Sequence, residues 1–178
     1  MQSITFGWDT AKEHDQAVGH QLFDRHAGTQ RTVEKLPDGI RTLTVSSDPV
    51  TVSLLHDHVS AMESRMRQGL VMRRWDPFFP ELFRHADEIR QRIENQPDGV
   101  RVEAHSDNPY VVPLLYLHAD AISDFAKRGW DAAQERHSLP AQTSAMSSVT
   151  EANIKPGPVP RSPSADQCRG QGRPDGPI

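Results

Sequence analysis

The chain has 178 residues, 25% of them charged, a formal net charge of −4 and an isoelectric point near 6.1. That size bounds it to one domain or two very small ones, and the acidic balance excludes a general affinity for nucleic acid or an anionic membrane. Its one cysteine, Cys168, excludes an internal disulfide framework and any cysteine-rich zinc module.

The first predicted element is a helix over residues 9–27. Asp9 or Thr10 can cap it, Thr10 and Glu13 have capping-box spacing, and Ala11, Val18, Leu22 and Phe23 give it an apolar face. Residues 29–36 and 40–47 are β-prone runs on either side of Pro37-Asp38-Gly39. They predict a hairpin whose proline presets one φ and whose glycine accepts a positive one. Asp48-Pro49 then opens a long helix, with Val52, Leu55, Val59, Met62 and Met66 on one stripe and Gly69 at its end. A connector over 69–74 leads to a short apolar helix over 77–86. A second hairpin follows around Pro97-Asp98-Gly99, with Ile89 and Ile93 alternating with charged residues before it. Asn108-Pro109 opens the second long helix, striped by Val112, Leu115, Ala119, Ile122 and Ala126 and ended by Gly129. Pro113 predicts that this helix starts late or bends, because past the first turn a proline removes a helical hydrogen bond. After His137 the text turns rich in Pro, Ser and Gly, with seven of the fourteen prolines in the last 41 residues. Residues 138–178 are therefore expected to be a disordered tail, with Cys168 an inert exposed thiol.

Residues 22–69 laid over 82–129 with an offset of sixty and no gap share fifteen identities in forty-eight positions, where unrelated segments would share roughly three. Each copy alone is near the size at which a core becomes insufficient, so the copies should share one. The expected fold is α+β over residues 1–137: two tandem helix-hairpin-helix repeats, about 9–69 and 76–129, related by a pseudo-twofold. Their hairpins would form a four-stranded antiparallel sheet with the helices packed on one face. No apolar stretch is long enough to span a bilayer and no leader opens the chain. A soluble, cytoplasmic product is expected, with the periplasm open to it if the start is incomplete.

All nine histidines precede residue 138. The one retained at the offset is His58, equivalent to His118, at the edge of the apolar stripe with Met62 one turn on. The first helix adds His20 and His26, and the second copy offers His85 near the equivalent position. Imidazole and thioether together favour a soft transition metal, so these six residues are the candidate ligands for copper or zinc. The competing reading makes the histidines donors to nearby backbone and the methionines core filling. Arg65, Arg67, Arg73 and Arg74 could receive an acidic protein partner or a phosphate, or form a solvated connector whose cations favour a helix C-terminus. No phosphate loop, nucleophile elbow or close carboxylate pair stands out, so an enzyme is the less favoured class.

Leu22-Phe23 with His26, Pro37-Asp38-Gly39, Ser46-Ser47-Asp48-Pro49 and His58, duplicated across 22–129, resemble a group of uncharacterised small bacterial proteins with the same tandem pattern. The resemblance implies the repeat and the histidine position and supplies no activity. The second copy departs from the pattern at Ala86 and Pro113. The expected function is non-catalytic binding of a transition metal or metal-containing cofactor through histidines. The alternative is a protein interaction module or homodimer using an apolar or arginine-rich surface.

Overall fold

The computed structural model describes the backbone of residues 5–141 and the side chains of residues 11–141. The expected tail from residue 142 on, with Cys168, lies outside the described residues. The chain runs α1 (Thr5–Asp24), a 3-10 turn (His26–Gly28), β1 (Thr29–Leu36), β2 (Gly39–Ser46) and α2 (Pro49–Gln68). It continues through α3 (Phe78–Arg84), a 3-10 turn (Ala86–Glu88), β3 (Arg90–Gln96), β4 (Gly99–His105), α4 (Val111–Arg128) and α5 (Trp130–Ala133). This is an α+β fold around one antiparallel sheet of order β1-β2-β4-β3. Among the described residues no helix is long and apolar enough to cross a membrane.

The two hairpins meet through β2 and β4, in a register that places Thr42 opposite Val102. Even-numbered residues of these strands, Ile40, Thr42, Thr44, Val100 and Ala104, are buried. On the opposite face Arg41 bonds Glu34 and Glu103 in the open. Contacts across the centre recur sixty residues apart. Ser46 N–H donates to the Asp98 carbonyl and Ser106 N–H to the Asp38 carbonyl, each at 2.9 Å. His56 Nε2 meets the Gln96 and Gly99 carbonyls, while Tyr116, its counterpart, donates its hydroxyl to the Leu36 carbonyl. The long helix after each hairpin thus braces the turn of the other.

Three local expectations change. The first helix begins at Thr5 and ends at Asp24, so Asp9 and Thr10 lie inside it; a capping residue is worth only about 1 kcal/mol and permits a start without forcing one. Gly39 and Gly99 do not occupy the positive-φ region, which among the described glycines is taken by Gly69 and Gly129. They are needed for a different reason: a Cβ on Gly39 would overlap the Ala104 carbonyl, and one on Gly99 the Thr44 carbonyl. Pro113 falls in the first turn of α4, which starts at Val111, where its missing N–H would have no intrahelical partner anyway. The start is late, and Asn108 caps the turn before it through the Tyr110 N–H. Asp48 behaves as expected, its carboxylate accepting the Val50 and Thr51 N–H groups.

Candidate functional site: a cationic, histidine-lined cavity

A cavity of about 740 Å³ lies between the inner face of the sheet and helices α1, α2 and α4. Most of its wall is apolar, built by side chains such as Leu55, Met66, Phe79 and Ile122. Arg31 of β1, Thr42 and Thr44 of β2, His58 of α2 and His118 of α4 are among the polar groups that line it. Arg31 faces inward because it pairs in the sheet with Thr44, and side chains of directly opposed residues share a face.

Of the six expected metal ligands, His58, His118, Met62, His20 and His26 all line this cavity. Among the described residues no group of three or more His, Cys, Asp or Glu is placed to hold a metal ion. His20 packs its ring on Trp130, centroids 4.7 Å apart, and His26 packs against Gly129. His85 stands apart from the cavity. Its Nδ1 meets Glu88 at 2.6 Å, its Nε2 lies 3.4 Å from Glu81, and its ring meets Tyr110 edge-on. The residue sixty positions after His26 is Ala86, so His85 stands one position away from the equivalent of His26.

Among the described residues five buried nitrogens have no hydrogen-bond partner: Nδ1 of His26, His58 and His118, and Nε of Arg31 and Arg73. All five residues line the cavity. Buried polar atoms are normally satisfied, so such a cluster marks a place where a ligand or water belongs. Arg31 donates to the Thr44 hydroxyl at 2.6 Å. Burial pushes its guanidinium down to about 10, with no carboxylate opposing it. The cavity's own acids are already taken, Asp15 by Arg65 and Glu63 by Arg67, each at 2.5 Å. Burial also lowers His58, against the pull of Asp15. It lowers His118 to about 4, helped by the nearby positive charge of Arg31 and by His58.

That shift predicts a pH dependence. Between pH 6.5 and about 4 the unfolded chain takes up a proton at residue 118 that the folded chain refuses, so unfolding free energy rises with pH across this window. The histidine's stabilising contribution is complete above pH 6.5 and lost as pH falls towards 4, on the order of 3 kcal/mol in all. Urea melts at pH 4.5 and 7 on wild type and His118→Leu should show a markedly flatter slope in the variant. Equal slopes would refute the burial of a neutral imidazole.

The four arginines expected to form one surface are divided. Arg65 is buried on Asp15, Arg67 pairs with Glu63, and Arg73 stacks over Trp75, Phe79 and Phe125 at 4.4–5.1 Å. Arg74 alone of the four is exposed without an ion pair among the described residues. Arg67 points outward on its own salt bridge, so the cluster is a helix end facing two directions. No protein-family model, curated protein or solved structure matches this chain.

Proposed function

We propose that the protein binds, without chemistry, a small organic anion with an apolar body, its acid group seated on Arg31. The observation that carries this is a largely buried guanidinium with a hydroxyl but, among the described residues, no carboxylate beside it. Removing one partner of a buried ion pair is strongly unfavourable, and a site that holds the cation without its partner is built for a partner that arrives from outside. The neutral imidazoles of His58 and His118 add unfilled hydrogen-bond capacity, and the apolar wall suits a hydrocarbon body.

We also read the domain as two copies of a helix-hairpin-helix unit sharing one core, supported by the Thr42–Val102 register and the crossed His56 and Tyr116 braces.

The test is Arg31→Met, which keeps the volume and removes the charge. Calorimetric titration of the full chain with a panel of alkyl and aryl carboxylates should give binding to wild type and a loss of at least about 100-fold in the variant. The unliganded variant should be more stable than wild type by about 1–3 kcal/mol, because an unpaired buried charge has gone. Equal affinity in both proteins would overturn the reading.

A second reading is supported by the free Nδ1 atoms of His58 and His118 on the same cavity: these two, with Met62 a turn from His58, are the donors available to copper, zinc or a metal-containing cofactor. It predicts stoichiometric uptake of Cu(I), Cu(II) or Zn(II) by wild type that His58→Ala abolishes and Arg31→Met leaves intact. The arginine-surface alternative is weakened, since Arg65 and Arg73 face inward.

A further inference from the structure

The cavity holds a second guanidinium whose charge is poorly matched. Arg73, in the connector between α2 and α3, lines the same space as Arg31, and its Nε is likewise without a hydrogen-bond partner among the described residues. Its ion-pair partner Asp76 stands 3.7 Å off, and that carboxylate already accepts from the Phe78 N–H, the His137 N–H and His137 Nδ1 at 2.7–3.3 Å. Arg73 also donates to the Glu135 carbonyl at 3.3 Å, which offers a dipole and not a charge. Rings hold it in place: the guanidinium carbon is 4.4 Å from the Trp75 ring and 5.1 Å from those of Phe79 and Phe125. Aromatic faces attract and orient a cation but carry no net charge to neutralise it. Burial keeps this guanidinium below its usual range, against the pull of Asp76.

Arg31 and Arg73 both belong to the α4 side of the cavity. α4 packs over β1, fastened by Lys35 on Asp120 at 2.8 Å and by the Tyr116 hydroxyl on the Leu36 carbonyl, and the charge of Arg31 reaches His118 on that helix. The Phe79 ring lies 6.4 Å from the His118 ring and 5.1 Å from Arg73, so an aromatic stretch links the two cations. Lys12 lines the cavity too but is exposed, its charge left to water. Among the described residues the carboxylates that line it, Asp15 and Glu63, are bound to Arg65 and Arg67 instead. The wall therefore presents two guanidinium groups and no free acid to match them. Resting on the anion-binding reading above, we propose that the ligand is a diacid. One carboxylate lies on Arg31 and the Thr44 hydroxyl, the other on Arg73, and an apolar spacer crosses Phe79 and His118. Each end then makes a charge-assisted hydrogen bond, whereas a monoacid seated on Arg31 would leave the second cation as it is in the free protein.

The experiment compares hexanedioate, octanedioate, decanedioate and dodecanedioate with the monoacids of the same carbon number, by titration calorimetry on the full chain and on Arg31→Met and Arg73→Met. The diacid of best length should bind wild type at least about tenfold more tightly than its monoacid. An apolar pocket with one cation would do the reverse, because the second carboxylate would be buried without a partner. Arg73→Met should remove the advantage and leave monoacid binding within about threefold of wild type, whereas Arg31→Met should weaken both series. If every monoacid binds as tightly as its diacid or more so, and Arg31→Met abolishes that binding, the diacid assignment falls and the anion reading stands. If no acid of either series binds wild type below about 1 mM, both fall. The wild-type ratios decide the proposal even where Arg73→Met does not fold.

Discussion

Gly39→Ala and Gly99→Ala should each destabilise the protein by more than about 3 kcal/mol, and the double substitution should leave no folded state. The usual sign is the opposite: glycine in a strand interior costs roughly 0.5–1 kcal/mol relative to alanine, and replacing it commonly helps. Here the added methyl would overlap a backbone carbonyl of the partnering hairpin, Ala104 for Gly39 and Thr44 for Gly99. A flexible side chain could swing away, whereas a carbonyl already fixed in the sheet can yield only by separating β2 from β4. These strands also hold the Ser46–Asp98 and Ser106–Asp38 backbone bonds, so separation would break the centre of the sheet. Urea unfolding of the two single variants checks this, and a loss below about 1 kcal/mol would show that the strands part at little cost.

Asp76→Ala should cost about 3–5 kcal/mol, the penalty for stripping a buried charge network of its acid. The carboxylate is fully buried and accepts from the Phe78 N–H at 3.3 Å, the His137 N–H at 3.1 Å and His137 Nδ1 at 2.7 Å. Arg73 lies 3.7 Å away. Truncation leaves two backbone donors, an imidazole and a half-buried guanidinium unmatched, each loss adding its own desolvation cost. Asp76→Asn, which retains acceptors for part of the set, should fall between wild type and Asp76→Ala. Hydrogen exchange at the His137 amide should accelerate in step with the lost stability, and an unchanged rate would show that the residue is held by something else.

Asp48 and Asp76 show what was readable in advance. Both precede a proline, the setting in which a carboxylate commonly caps a helix. Asp48 does so because a cap is local: its acceptors meet N–H groups two and three residues on. Asp76 also accepts from Phe78, but its other partner is sixty-one residues away, and nothing in local spacing discloses such a pairing. The same limit explains the site. The histidine of α2 and its counterpart in α4 were visible as a pair at the stripe edge, since helical periodicity places them. Arg31 was not singled out, because an arginine in a strand is ordinarily taken as solvated; its inward direction follows only once its register with Thr44 is known. His85 lies one residue short of the position matching His26, and one residue along a helical turn rotates a side chain by about 100°.

The central pairing has a consequence for the order of synthesis. β2 ends at Ser46, but the strand that covers its open edge ends at His105, fifty-nine residues later. At typical elongation speeds that interval lasts about 3–12 s, far longer than the microseconds in which a hairpin forms. During it the nascent first hairpin has a bare edge and a half-built cavity wall. Its exposure falls to other hands: a chaperone, the ribosome surface, or the slow arrival of the second hairpin, whose long-range closure sets the pace of the whole fold.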